Sequence, residues 1–341
     1  MNDVNTRQEI EHLLISVCIP VYNGAKYLEQ SISSALNQQF NGDYEILIAD
    51  DCSQDNSFDI AQRFKKVNPQ KIRLIKHPVN KGLVANWNFC VREAKGQWIK
   101  FLFQDDLMIP GCLQLMYNRA MLDKSAFVIC NRHFQIEENA SPELKDYYTN
   151  HAIKLSNFFD TDRFISPSDN QHIWQEPRLY NYLGEPSCFL YNKSVARSFG
   201  TYNASLPQLC DYEYALRVVS NIGCSYVSKE LVTFRVSSSS ASSKNHSDRL
   251  AILKLVEPLL LLHLFIWNKY YKSLRSETKK KAFYALFKKQ LDDLNTLGFK
   301  KAYALLKQYF FKFPFLYLHA WFFFRHRMKF YFGRLKYRLT N

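Results

Sequence analysis

Four short apolar runs, set at intervals of roughly 30 residues and each followed by a more polar stretch, constrain the fold of this chain most tightly. They are LISVCIPV at 14–21, YEILIA at 44–49, IRLIKH at 72–77 and WIKFLF at 98–103. Continuous β-branched runs of this length suit strands covered on both faces. Between the first two, Asn23-Gly24 is a turn signal, after which Tyr27, Leu28, Ile32 and Leu36 recur at helical spacing. A second helix is expected from Ser57 to Lys66, and HPVNKGLVANWNFCVREAKG reads as a loop leading into a third. Strand and helix alternating at this period define βαβ units. They predict an α/β fold with a mostly parallel central sheet flanked by helices.

In such a sheet ligands bind outside the carboxyl ends of the strands. The chain puts paired acids at two of those ends, Asp50-Asp51 and Asp105-Asp106. Neighbouring carboxylates repel, and burial raises the cost of each charge. A divalent cation would relieve both, and so would solvation at a strand end. After the first strand stands Pro20-Val21-Tyr22-Asn23 rather than GxGxxG, and no P-loop occurs, so the glycine-rich phosphate cradles are missing. Phosphates handled at this rim would call for a cation.

The net charge of +14 suggests a nucleic-acid binder until it is located along the chain. Residues 251–341 carry 19 Lys and Arg against 4 Asp and Glu, so the first 250 residues are close to neutral. No nucleic-acid partner is expected. Hydrophobic residues make up 47% of the 341, which excludes a disordered chain. Eight cysteines lie scattered without a CxxC pair, several inside apolar runs such as SVCIPV, a pattern of buried thiols in a reducing compartment. The N-terminal MNDVNTRQEIEH lacks the apolar core of a signal peptide, which makes the cytoplasm the expected address.

Taken in order, SVCIPVYNGAKYLEQSISSALNQQ, EILIADDCSQDNS, NKGLVANWNFCVREAKGQWIKFLFQDD, GEPSCFLY and LCDYEYALRV resemble the inverting family 2 glycosyltransferases of the GT-A fold, of the bacterial surface-polysaccharide type. The resemblance spans residues 13–240. It implies that Pro20 and Tyr22 border the nucleotide base, that Asp51 recognises base or ribose, and that Lys81 and Arg235 are further nucleotide contacts. FQDD resembles the family's DxD metal motif, but Phe103 stands where the first Asp belongs. Asp105 and Asp106 alone carry over, as holders of Mn²⁺ or Mg²⁺ on the donor diphosphate, with Asp105 also beside the nucleotide. Glu185 and Ser187 fall near the sugar and acceptor, with Gly184 permitting close approach of backbone. Asp211 matches the catalytic base, and Glu213 is its fallback. Each has a bland reading beside this one: Asp50 and Asp51 as turn residues, Asp211 as an N-cap, Lys81 as a solvated charge.

The function so implied is transfer of a sugar from a nucleotide-diphosphate sugar, a UDP-sugar foremost, to a saccharide or lipid-linked saccharide in polysaccharide or lipopolysaccharide biosynthesis. Two rivals stay open: a sugar nucleotidyltransferase, and a scaffold that kept the fold and lost activity. Residues 135–180, polar and poorly periodic, read as a loop-rich insertion on the acceptor side. The expected division is a catalytic domain at 1–245, with a nucleotide half at 13–110 and an acceptor half at 111–245, followed by a helical, basic, aromatic-rich region at 246–341. In that region FPFLYLHAWFFF is the longest uncharged run of the last stretch, shorter than the roughly 20 residues a spanning helix needs. Its interleaved basic and aromatic residues point to a membrane surface, placing the protein peripherally on the inner face of the cell membrane.

Overall fold

Strands β1 (Ile15–Val21), β2 (Tyr44–Asp50), β3 (Ile72–Lys76) and β4 (Trp98–Phe101) coincide with the four apolar runs. Every residue of β1, β2 and β4 is buried, as strands covered on both faces require. Helices α1 (Ala25–Leu36), α2 (Ser57–Val67) and α3 (Leu83–Glu93) fill the connections. Helix α1 buries Tyr27, Leu28, Ile32 and Ala35, one stripe of a 3.6-residue period, and leaves Glu29 and Gln30 outward. The computed structural model describes residues 13–173, 181–237, 256–274, 281–282 and 284–290.

The remaining elements are β5 (Leu107–Met108), α4 (Cys112–Asp123), β6 (Phe127–Ile136), α5 (Pro142–Asp146), β7 (Arg163–Ile165), α6 (Pro167–Ile173), β8 (Phe189–Asn192), α7 (Lys193–Phe199), α8 (Cys210–Ile222), β9 (Cys224–Val236) and α9 (Glu257–Trp267). The sheet runs β3-β2-β1-β4-β8-β6-β9-β5, with β7 on β9. From β3 to β4 all pairs are parallel. Beyond β4 the sheet turns mixed: β8 is antiparallel to both neighbours, β6 and β9 are parallel, and β5 and β7 are antiparallel to β9. The parallel half brings the carboxyl ends of β2, β1 and β4 side by side. Both acidic pairs therefore share one rim.

The insertion is less loop-like than its composition suggests. Helix α5, a π-helical turn at Tyr147–His151, the 3₁₀ turn Leu155–Asn157, β7 and α6 all fall within it. Elements of three to seven residues are too short to show a period. All eight cysteines are free thiols, and all but Cys52 are buried.

The described residues beyond 245 do not form a second core. Leu259, Leu260, Leu261, Leu262 and Phe265 of α9 are fully buried in the cluster that holds β1, β2 and α8. No helix among the described residues is long and apolar enough to cross a membrane. The membrane expectation rests on the whole region 246–341, of which residues 246–255, 275–280, 283 and 291–341 lie outside the described residues.

Candidate active site

The rim surrounds a cleft of about 530 Å³, walled on one side by the ends of β1, β2 and β4 and on the other by β6, β9 and the start of α8. Pro20 and Tyr22 line it at the end of β1. Tyr22 is 47% exposed, an aromatic ring free to meet a planar ligand. Its backbone is fixed by the Gln104 amide, which accepts from the Tyr22 N–H at 2.8 Å and donates to the Tyr22 carbonyl at 3.2 Å. A Cβ on Gly24 would lie 2.3 Å from Gln104 Oε1, so only glycine leaves room for this clasp.

Asp51, buried at the end of β2, faces the same cleft. Its two oxygens accept from the main-chain N–H groups of Lys81 at 2.8 Å and Gly82 at 2.9 Å. Each carboxylate oxygen has a second lone pair, so Asp51 holds the NKG loop and still offers acceptors to a ligand N–H or hydroxyl. Lys81 itself is exposed and outside the cleft lining; its contribution is the backbone N–H.

The two acids after β4 part company. Asp105 lines the cleft, whereas Asp106 is 1% exposed and lies behind the wall, accepting from the Arg235 N–H at 3.2 Å. Burial pushes the Asp105 carboxyl up, and the nearby Arg235 charge draws it back down. Asp106 is pushed up well above the carboxylate range, by burial first and then by the Asp105 charge. Asp106 Oδ2 is buried and no donor meets it in full hydrogen-bond geometry, the Ser187 hydroxyl being the neighbour that draws the carboxyl back down. Arg235 sits against the pair, its Nε donating to the Asp105 carbonyl at 3.0 Å, Nη2 to Gln30 Oε1 at 2.8 Å, and its guanidinium 4.2 Å from the Tyr27 ring centre.

Among the described residues no three His, Cys, Asp or Glu side chains converge as a metal cage. One cleft-facing carboxylate with a second, buried one behind it nevertheless fits a hard cation that arrives on a diphosphate, since phosphate oxygens and waters complete its octahedron. Phe103, in the place of the missing Asp, stacks on Trp87 with ring centres 4.7 Å apart, and both rings line the cleft.

Across the cleft, Asp211 opens α8. Its Oδ1 accepts from the Tyr212 N–H at 2.7 Å and its Oδ2 from Asn181 Nδ2 at 3.1 Å. Burial, and then the charge of Glu185, raise its carboxyl to about 7, against the pull of those two donors. Glu185 lines the cleft and pairs with the buried Arg132, Nε to Oε2 at 2.7 Å. Gly184 ahead of it has φ +98°, and a Cβ there would lie 3.0 Å from Arg132 Nη1, so glycine is required on both counts. Ser187 is fully buried and outside the lining; its Oγ accepts from the Phe103 N–H at 3.1 Å, bracing the rim from behind. Glu213 faces away, paired with Arg217 at 2.9 Å and accepting from the Tyr271 hydroxyl, which removes the fallback base from the cleft.

The cleft thus gathers Pro20, Tyr22, Asp51, Asp105, Glu185, Asp211 and Arg235, and leaves the side chains of Lys81, Asp106 and Ser187 outside. Gln104, Arg132 and Asn181 join it unforeseen; only the closeness of Gln104 to the acidic pair hinted at a role. Parallel strands ending in acids, a cationic side chain beside them and an opposed carboxylate near neutrality are the features of a ligand site at the carboxyl rim of an α/β sheet. Residues 16–199 match Glycosyl transferase family 2, and the chain belongs to that family. It is therefore a glycosyltransferase, built on the GT-A fold.

Among curated proteins, an uncharacterised Mycobacterium tuberculosis protein, MT1568, is 28% identical over 72% of this chain and 77% of its own length. The putative glycosyltransferase EpsE of Bacillus subtilis is 32% identical over 36% of this chain and 41% of its own. Chondroitin synthase of Pasteurella multocida is 32% identical over 38% of this chain, which spans 13% of that longer protein. Among solved structures, S. aureus TarS 1–349 in complex with UDP-GlcNAc superposes with a TM-score of 0.60 at 17% identity, covering 84% of this chain and 75% of TarS 1–349. The mannosyltransferase PcManGT from Pyrobaculum calidifontis, in complex with GDP-Man and Mn²⁺, gives 0.54 at 14% identity over 86% and 74%.

Proposed function

We propose that this enzyme transfers a sugar, with inversion, from a nucleoside diphosphate donor, a UDP-sugar foremost, to a saccharide or lipid-linked saccharide. The observation that carries the reading is a carboxyl held near neutrality, Asp211, opposite the acceptor and cation groups of the nucleotide rim in one cleft. Inverting transfer is a single displacement and needs a base at the acceptor hydroxyl. Asp211 takes that proton as the acceptor oxygen bonds to the anomeric carbon. The bond from that carbon to the diphosphate breaks, and the leaving group keeps the electron pair. Asp51 binds base or ribose, Tyr22 and Pro20 border the base, and Arg235 lends positive charge on the diphosphate side. Mn²⁺ or Mg²⁺, held by Asp105 with Asp106 behind it, would offset the charge developing on the leaving diphosphate. The UDP-GlcNAc bound to TarS and the GDP-Man and Mn²⁺ bound to PcManGT support this assignment of donor and ion.

The basic C-terminal region, residues 246–341, with basic side chains each worth on the order of 1 kcal/mol near an anionic surface, would bring the enzyme to the inner face of the membrane where lipid-linked acceptors are found. The deciding experiment offers UDP-, GDP- and dTDP-sugars with an acceptor extract and follows the products. Nucleoside diphosphate release from one donor is expected. Pyrophosphate release would mark a nucleotidyltransferase instead, and neither product nor nucleotide binding would mark a scaffold.

The charge of Glu185 makes its own prediction. A like charge beside Asp211 favours the protonated acid, so Glu185→Gln lowers the Asp211 pKa and extends the active carboxylate to more acidic solution. The acid limb of the kcat–pH profile is expected to move to lower pH whatever the change in its height. A limb that stays put, or moves upward, would separate Glu185 from the base.

A further inference from the structure

Helix α9 is apolar apart from His263 in its middle and its first residue, Glu257, which is fully buried. Its carboxylate is not spent on a cap within its own helix. Oε2 accepts from the main-chain N–H groups of Gln208 and Leu209, both at 3.0 Å. Leu209 is the N-cap residue of α8, which has no side-chain cap of its own. An acid 48 residues further along the chain therefore supplies the negative charge that a helix N-terminus favours. Asp211 lies two residues beyond Leu209, and Pro207, Gln208 and Leu209 line the cleft with it.

We infer that Glu257 is a positioning residue for the transfer reaction: it clasps the backbone at Gln208 and Leu209 and so sets where Asp211 meets the acceptor hydroxyl. The inference rests on Asp211 as base. A buried carboxylate in an apolar helix is costly unless its oxygens are satisfied, and here the backbone before α8 satisfies them. The two acids also sense one another. Burial foremost, and then the Asp211 charge, raise the Glu257 carboxyl to about 7, while its two N–H donors pull it down. The same segment grips α8 further along: Ser273 Oγ donates to the Ser220 carbonyl at 2.8 Å, and Asn221 Nδ2 donates to the Tyr270 carbonyl at 2.7 Å. Helix α8 is thereby held at both ends by residues that follow the sheet in sequence. Small displacements of a catalytic group weigh heavily, a shift of about 1 Å costing about 10²-fold in rate.

The test compares Glu257→Ala, Glu257→Gln and Glu257→Asp in the full chain, with Asp211→Asn in parallel, reading kcat, donor KM, nucleotide affinity by calorimetry and melting temperature. Glu257→Ala is expected to lose about 10-fold or more in kcat with donor KM and nucleotide affinity within about twofold, the signature of an effect on the transition state alone. Glu257→Gln keeps an acceptor oxygen for the loop and is expected to recover most of kcat. A folded Glu257→Ala with wild-type kcat overturns the inference. So does a fall in melting temperature with kcat unchanged across the series, which marks a structural cap only. If the alanine variant does not fold, Glu257→Asp decides: one methylene shorter, it withdraws from both N–H groups, and its kcat must fall at unchanged KM. Should Asp211→Asn retain activity, the base assignment fails on its own, whatever the Glu257 variants do.

Discussion

Asp211→Asn is expected to lower kcat by about 10²- to 10⁴-fold, the range a lost general base covers, with nucleotide affinity within about twofold of wild type. The amide keeps the volume and still accepts from the Tyr212 N–H, so the cleft keeps its shape and loses only the carboxylate proposed as its base. The same substitution has a consequence for stability with a definite sign. The Asp211 carboxyl sits near 7 in the folded protein against an ordinary 3.8, so between those values the folded state holds more proton than the unfolded one. Its favourable share of stability is complete below the lower value and is lost as pH rises through the upper. At pH 8 the half-buried carboxylate is a liability, at about 1.4 kcal/mol per unit of raised pKa. Asparagine is neutral throughout. It gives up the bond from Asn181, a cost on the order of 1 kcal/mol, and still comes out ahead at pH 8. The variant should therefore melt above wild type at pH 8, by a margin that shrinks toward pH 5. Turnover close to wild type would dismiss Asp211 as the base, and a lower melting temperature at pH 8 would dismiss the account of its burial.

Those two effects belong to a residue that the sequence already marked, and the reason is local. Asp51, Asp105 and Asp211 stand where an apolar run ends or a helix begins, and such boundaries can be read from periodicity. The β1 to β4 half was legible for the same reason, its runs being unbroken and buried on both faces. Asn181 and Gln104 were not, because an amide acquires its role from the backbone it happens to meet after folding, and nothing in NYLGE or FQDD names Asp211 or Tyr22 as that partner. Arg132 lies mid-strand in β6 and becomes part of the site only through an ion pair with a residue 53 positions on. Glu257 is a harder case. A single acid at the head of an apolar helix reads as a first-turn charge, and its use on another helix is a tertiary fact. The divergence of Asp105 and Asp106 was not legible, since both lie in the turn between β4 and β5, where no strand alternation assigns a face.

That divergence sets up the other large effect. Asp105→Asn is expected to cut turnover by about 10²- to 10³-fold, because the carboxylate it removes is the one on the cleft side, where the proposed donor diphosphate would lie, and a cation there would be worth several kcal/mol to a leaving group gathering charge. EDTA should reduce the wild-type enzyme to a similar level and take little more from the variant. Asp106→Asn should act differently. Its side chain lies behind the wall, one oxygen engaged by the Arg235 N–H, so the amide preserves that contact and leaves Asp105 in the cleft. Mn²⁺ binding in the presence of UDP, followed by calorimetry, distinguishes the two: strongly weakened in Asp105→Asn, retained in Asp106→Asn. The reverse ranking would make Asp106 the ligand and require the wall to open on donor binding. If EDTA leaves wild-type turnover intact, the cation has no part in the reaction, and the Phe103 ring stacked on Trp87 in place of a first aspartate becomes the mark of a site that stabilises the leaving diphosphate with Arg235 instead.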